Sequence, residues 1–192
     1  SSLNLFQLTF MKIEKTIIQG CYIIEPTIFE DERGYFFESF NQQSFEELSG
    51  LKTIFVQDNQ SQSTYGVVRG LHAQLGNYAQ AKLVRVLEGD VMDVAVDARR
   101  DSPTFGNVVQ VELSAENKKQ LFIPRGCLHG FSVISEKVTF FYKCDNFYDK
   151  ASEVSVNPFD ESLAINWKIA TDEAIISEKD KNALSWSKFL KA

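Results

Sequence analysis

The chain reads as all-β, a jelly-roll sandwich or barrel built as one domain. Turn residues (Gly, Pro, Asn, Asp) recur at short spacing along most of it. Between them lie short runs rich in β-branched and aromatic residues, with 16 Phe in 192 residues. A helical period is confined to a short piece near residue 45 and to the tail.

Taken in order, residues 1–12 are expected to be an extension and residues 13–192 the domain. "CYIIEP", "GYFFESF", "KTIFVQD" and "GVVRGLHAQ" predict strands, with a helical piece over Ser44–Leu48. "KLVRVLEGDVMDVAVDA" predicts a hairpin turning at Glu88-Gly89-Asp90. "NVVQVELS", "KQLFIP", "GFSVIS" and "VTFFYKCDNFY" continue the strands, with a turn at Ser135-Glu136-Lys137. In "SEKDKNALSWSKFL" Ala183, Leu184, Trp186, Phe189 and Leu190 fall at helical spacing, and Ser177 with Asp180 forms an S-x-x-D cap.

Composition excludes several roles. Hydrophobic content of 44% and charged content of 24% suit a globular core. A net charge of −6 argues against broad adhesion to nucleic acid or membrane, and no apolar run is long enough to span a bilayer. Three cysteines, Cys21, Cys127 and Cys144, lack CxxC spacing, so neither a disulfide framework nor a zinc knuckle is expected, and a reducing cytoplasm fits.

Both histidines sit in distinctive contexts. "IPRGCLHGF" contains P-x-G-x-x-H (Pro124, Gly126, His129), which resembles the second motif of the cupin superfamily. Metal-binding cupins add an H-x-H pair, whereas His72-Ala73-Gln74 offers one histidine, a poor transition-metal set. "FEDERGYFFESFNQQSFEEL", "FVQDNQSQS", "GVVRGLHAQ", "QAKLVRVLEGDVMDVAVDARRDSPTFG", "VELSAENKKQLFIPRGCLHGF" and "FFYKCDNFY" occur in that order. Together they resemble the dTDP-4-dehydrorhamnose 3,5-epimerase family, from about Ile13 to Trp167 and again at "SEKD".

The resemblance implies a cupin-type jelly roll, a homodimer, no cofactor and no metal. It implies action on dTDP-4-dehydro-6-deoxy-D-glucose. Protons at C3 and C5 of that sugar are α to the C4 ketone. Their epimerisation needs a base on one face, a stabiliser for the enolate oxygen and an acid on the other face. By the resemblance His72 is the base, Asp180 its orienting carboxylate, Lys82 and Arg69 the charge near the oxygen, and Tyr142 the acid. Arg33, Glu38, Gln57, Asn59, Phe29, Tyr148 and His129 match substrate-binding positions, some of which cross the dimer interface, and Asp93 has a supporting role.

Each residue has a plainer reading. Asp180 could only cap a helix, Tyr142 only pack in a core, Lys82 only charge a strand edge, and Arg33 only ornament a surface turn. His129 could be a buried relic of the cupin motif. The chain also departs from the family pattern: Ala73 replaces a Phe, leaving room near the base, and Phe147 replaces a Tyr. "INWK" lacks a following Pro, and Cys127-Leu128 stands where Phe-Ala is common. The alternatives are a C3-only epimerase or 3,4-ketoisomerase on the same scaffold, and a non-catalytic sugar-nucleotide-binding cupin.

Overall fold

The computed structural model describes residues 11–192. Its strands are β1 (Met11–Lys15), β2 (Tyr22–Pro26), β3 (Phe29–Asp31), β4 (Gly34–Phe36), β5 (Gln57–Thr64), β6 (Val68–Gln74), β7 (Lys82–Glu88), β8 (Asp90–Asp97), β9 (Val108–Ser114), β10 (Gln120–Ile123), β11 (Cys127–Val133), β12 (Lys137–Cys144) and β13 (Glu153–Ser155). One sheet runs β1-β2-β10-β7-β12-β5, and a facing sheet runs β13-β6-β11-β8-β9. β3 and β4 form a separate two-stranded ribbon. All named strand pairs are antiparallel, as in a jelly roll.

Apolar residues alternate to make two cores on the faces of one sheet. In β8, Val91 and Ala95 point between the sheets, where they meet Val84, Val86, Val138 and Phe140. Met92, Val94 and Val96 point the other way, into a second cluster closed by Trp167, Trp186 and Phe189 of the C-terminal segment. That is why β8 is apolar on both faces and its residues after Asp90 are all buried. A third cluster holds the helix α1 (Gln42–Ser49), whose Phe45 is fully buried against Phe122. Burying one such ring stabilises the fold by roughly 1.5–3 kcal/mol. Asn41 caps α1 by accepting the Ser44 N–H at 2.9 Å.

Several expectations change. Met11 and Lys12 belong to β1, where they pair with Pro26 and Glu25, while residues 1–10 of the expected extension lie outside the described residues. The predicted hairpin at Glu88-Gly89-Asp90 instead crosses between sheets: β7 pairs with β10 and β12, β8 with β11 and β9. In "KTIFVQD" pairing starts only at Gln57, and in "GYFFESF" it ends at Phe36. The tail helix comes in two pieces, α2 (Glu178–Lys181) and α3 (Trp186–Lys191). Between them Leu184 bridges to Val156, and Ser185 caps α3 by accepting the Lys188 N–H.

Candidate active site

The cleft opens between the two sheets. It has a volume of about 220 Å³, and its walls include Asn59, Arg69, His72, Lys82, His129 and Tyr142. A smaller recess of about 100 Å³ shares Asn59, His72, Lys82 and Tyr142 and adds Gln57, Tyr148 and Glu153. The walls differ in origin. His72 and Arg69 lie on β6, and His129 on β11, in the five-stranded sheet. Asn59, Lys82 and Tyr142 lie on β5, β7 and β12 of the facing sheet.

Local sequence explains the placement. β6 and β11 set His72 opposite His129, and the register slips between His129 and Phe131. At the slip Gly70 has φ 122°, and a Cβ there would lie 2.6 Å from Gly130 Cα and 2.7 Å from the His129 carbonyl oxygen. Only glycine fits, which is the physical content of "RGLH". On the facing sheet Tyr142 pairs with Asn59 and Val84, while Cys144 pairs with Lys82. Alternation then turns Tyr142, Lys82 and Asn59 to the cleft and Phe141 and Lys143 away from it.

His72 Nε2 lies 2.6 Å from Asp180 Oδ1. The Gly70 N–H donates to the other carboxylate oxygen at 3.3 Å. With Nε2–H donated to Asp180, Nδ1 is the nitrogen left to accept a proton. Burial would raise the Asp180 pKa, but the His72 hydrogen bond and charge outweigh it, and the carboxyl lies below its ordinary value. Ser177 accepts the Asp180 N–H at 3.2 Å, so the cap and the dyad coexist.

A second His–carboxylate pair sits deeper. His129 Nε2 lies 2.6 Å from Asp93 Oδ1, and the ring stacks on Phe140 with centroids 5.9 Å apart. Asp93 Oδ2 is buried without a hydrogen-bond partner. Burial pushes the Asp93 pKa up against the opposing charges of His129 and Lys82. Burial pulls the Lys82 pKa down, with Cys144, Asp93 and Glu153 opposing. Lys82 Nζ stands 5.5 Å from the centre of the Tyr142 ring. Burial also raises the Tyr142 phenol, while the neighbouring Asn59 amide lowers it. Arg69 Nε donates to Ser63 Oγ at 3.0 Å.

Three sequence candidates stand apart from this cleft in their own chain. Phe29 lies on β3, and Arg33 joins β3 to β4, where it pairs with Asp31. Glu38 accepts from Asn41 Nδ2 at 3.2 Å, at the foot of α1. Ala73 is buried in the outer cluster with Leu71, Met92 and Val156, and it also borders the smaller recess that His72 lines.

The structure adds Glu153 and Lys179 to the neighbourhood. Glu153 accepts from Tyr148 Oη at 3.1 Å and from Lys179 Nζ; burial would raise its pKa, but these bonds and the neighbouring positive charge hold the carboxyl below its ordinary value. No motif in "ASEVSVNP" signals Glu153, whereas Lys179 lies inside "SEKD". Among the described residues, no three His, Cys, Asp or Glu side chains converge to hold a metal ion.

A jelly-roll cleft with a His–Asp dyad on one wall and a lysine and a phenol on the other defines a cupin-type acid–base isomerase. A family model described as dTDP-4-dehydrorhamnose 3,5-epimerase matches residues 15–188, and the chain belongs to that family. It is 54% identical over 90% of its length to the dTDP-4-dehydrorhamnose 3,5-epimerase of Shigella flexneri, covering 94% of that protein. Its fold superposes on the crystal structure of the Elizabethkingia anophelis dTDP-4-dehydrorhamnose 3,5-epimerase with a TM-score of 0.90 and 59% identity, covering 93% of this chain and 98% of that one. It also superposes on the Legionella pneumophila dTDP-6-deoxy-D-glucose-3,5-epimerase in complex with dTDP-4-keto-L-rhamnose, with a TM-score of 0.86 and 50% identity, covering 91% and 92% of the two chains.

Proposed function

We propose that this chain epimerises dTDP-4-dehydro-6-deoxy-D-glucose at C3 and C5, giving dTDP-4-dehydro-L-rhamnose. One observation carries the reading. The His72–Asp180 dyad and the Tyr142 phenol belong to opposite walls of one cleft. Inversion at carbon needs that opposition, because the proton must leave one face and return to the other.

His72 Nδ1 takes the proton from the carbon α to the ketone, and Asp180 stabilises the imidazolium that forms. The electron pair moves to the C4 oxygen as an enolate. Lys82 and Arg69 supply positive charge there, an interaction typically worth roughly 10²–10³ in rate for one preorganised donor. Burial lowers the Lys82 pKa and so makes its ammonium the better donor to that oxygen. Burial keeps Tyr142 protonated, ready to deliver its proton to the far face. Exchange with solvent then resets both groups. His129 and Asp93 support the floor of the cleft, and Gln57, Asn59 and Tyr148 line its approach.

The nucleotide end is completed in a homodimer. Arg33, Glu38 and Phe29 lie outside the cleft of their own chain, on and beside a ribbon whose Tyr35 and Phe36 are exposed. Such an apolar surface suits a second copy, with Arg33 reaching phosphate oxygens across the interface. A reducing cytoplasm accords with three unpaired, buried cysteines. No described helix is long and apolar enough to cross a membrane.

The test is incubation with the 4-keto substrate in D₂O, followed by NMR and mass. Deuterium at both C3 and C5 with the L-lyxo product is expected. Exchange at C3 alone would make the protein a 3-epimerase, and exchange at neither carbon would overturn both epimerase readings.

A further inference from the structure

Asp180 reaches the cleft from outside the barrel, on a four-residue helix that could not hold its own position in water. Two single-rung bridges fix the chain on either side of it. Before Asp180, Ile175 lies parallel to Val67: the Ile175 N–H donates to the Gly66 carbonyl at 2.8 Å and the Val68 N–H to the Ile175 carbonyl at 3.0 Å. After Asp180, Leu184 lies parallel to Val156, and the Asn157 N–H donates to the Leu184 carbonyl at 2.8 Å. Val67 immediately precedes β6, which carries His72, and Val156 immediately follows β13, where Ser155 pairs with His72. The strap is therefore stitched to the two strands that frame the histidine.

The first stitch depends on a missing side chain. Gly66 has φ 85°, and a Cβ there would lie 2.7 Å from the Glu173 carbonyl oxygen of the strap. Tyr65 Oη adds a hydrogen bond to Glu173 Oε2 at 3.1 Å. Gly66 touches neither the cleft lining nor the dyad.

We infer that Gly66 and the Val67–Ile175 bridge are positioning elements for the general base, acting through the strap to hold the Asp180 carboxylate on His72. This rests on the reading of His72 and Asp180 as the base and its orienting group. A Cβ at Gly66 pushes the strap outward, lengthens the dyad hydrogen bond and leaves the substrate pocket itself intact. Ile175→Pro acts on the same stitch by a different route, since it deletes the N–H that reaches Gly66, and its side chain is more than half exposed.

The experiment is a double-mutant cycle. Steady-state kinetics and dTDP binding are measured for wild type, Gly66→Ala, Ile175→Pro, Asp180→Asn and each double variant, with circular dichroism as the check on folding. Gly66→Ala and Ile175→Pro are expected to lower kcat roughly ten- to hundredfold, the scale of a misplacement of about 1 Å. KM and the dTDP Kd should stay within about twofold. In the Asp180→Asn background either change should cause no further loss, because the group it positions is gone. Two variants that weaken the same stitch differently keep the test open if one fails to fold. Unchanged kcat in a folded variant, or losses that multiply in the Asp180→Asn background, would overturn the inference while leaving the catalytic reading intact. Undiminished turnover by Asp180→Asn alone would overturn both.

Discussion

At the scale of single residues, the dyad explains why the two histidines are not equivalent. His72 keeps a partly exposed ring backed by a carboxylate, while His129 is buried against Phe140 and Asp93. Replacing Asp180 by Asn removes the charge that balances the imidazolium, and kcat is expected to fall roughly 10²–10⁴-fold, the usual worth of an acid–base group. Stopped assays of substrate loss will measure it. His72, Asp180, Lys82 and Tyr142 are all visible in the sequence through the motifs that contain them. Their convergence is not, because "RGLH" and "SEKD" stand more than 100 residues apart and meet only by folding. Glu153 was invisible for a different reason: a lone acid in a short strand has no spacing to betray it, and only the contacts with Tyr148 and Lys179 assign it to the site.

At the scale of elements, sequence patterns predicted strands well where one apolar face recurs and poorly where none does. β5 reads "QDNQSQST", polar on both faces, yet it is an eight-residue strand with Ser63 buried and Gln57 and Asn59 turned to the cleft. It escapes a search for β-branched and aromatic residues because its inner face lines a polar cavity instead of a core. The misread hairpin has a similar cause. Glycine at a short turn signals reversal, but not whether the next strand pairs alongside or crosses to the facing sheet. The tail shows a competing force: Leu184 keeps helical spacing, but the bridge to Val156 draws it out of the helix. For β6, the close approach at Gly70 makes a firm prediction. Gly70→Ala should destabilise the protein by on the order of 2 kcal/mol or more, through both strain and collision with β11, as read by urea unfolding.

At the scale of the whole molecule, a buried charge ties the end of β8 to the loop that follows it. Asp97 is fully buried, and Arg99, Ser102 and Thr104 hydrogen-bond to it. Burial alone would raise its pKa; these bonds outweigh that and bring it to about 2. Its folded pKa is thus depressed, so the stabilisation is complete above the ordinary carboxylate range and is lost as pH falls through about 2. Asp97→Asn should cost about 2 kcal/mol near neutral pH, and the gap from wild type should close on approach to pH ~2 in thermal melts. The proposed homodimer makes a second prediction at this scale. If Arg33 serves the other subunit's cleft, Arg33→Ala and His72→Ala homodimers should both be impaired. Each mixed dimer should regain one native site of its two, about half of the wild-type activity, since one cleft then holds both native groups. Mixing that restores no activity would show that Arg33 does not serve the other subunit's cleft.

The mechanism turns on base and acid standing on opposite walls. It is tested most directly by the stereochemistry of deuterium incorporation at C3 by Tyr142→Phe in D₂O. With the far-side acid gone, His72 should still remove the proton and return deuterium to the same face. Labelled sugar of retained configuration is expected, with inverted product reduced at least about tenfold. Inverted, labelled product formed at the wild-type rate would contradict it.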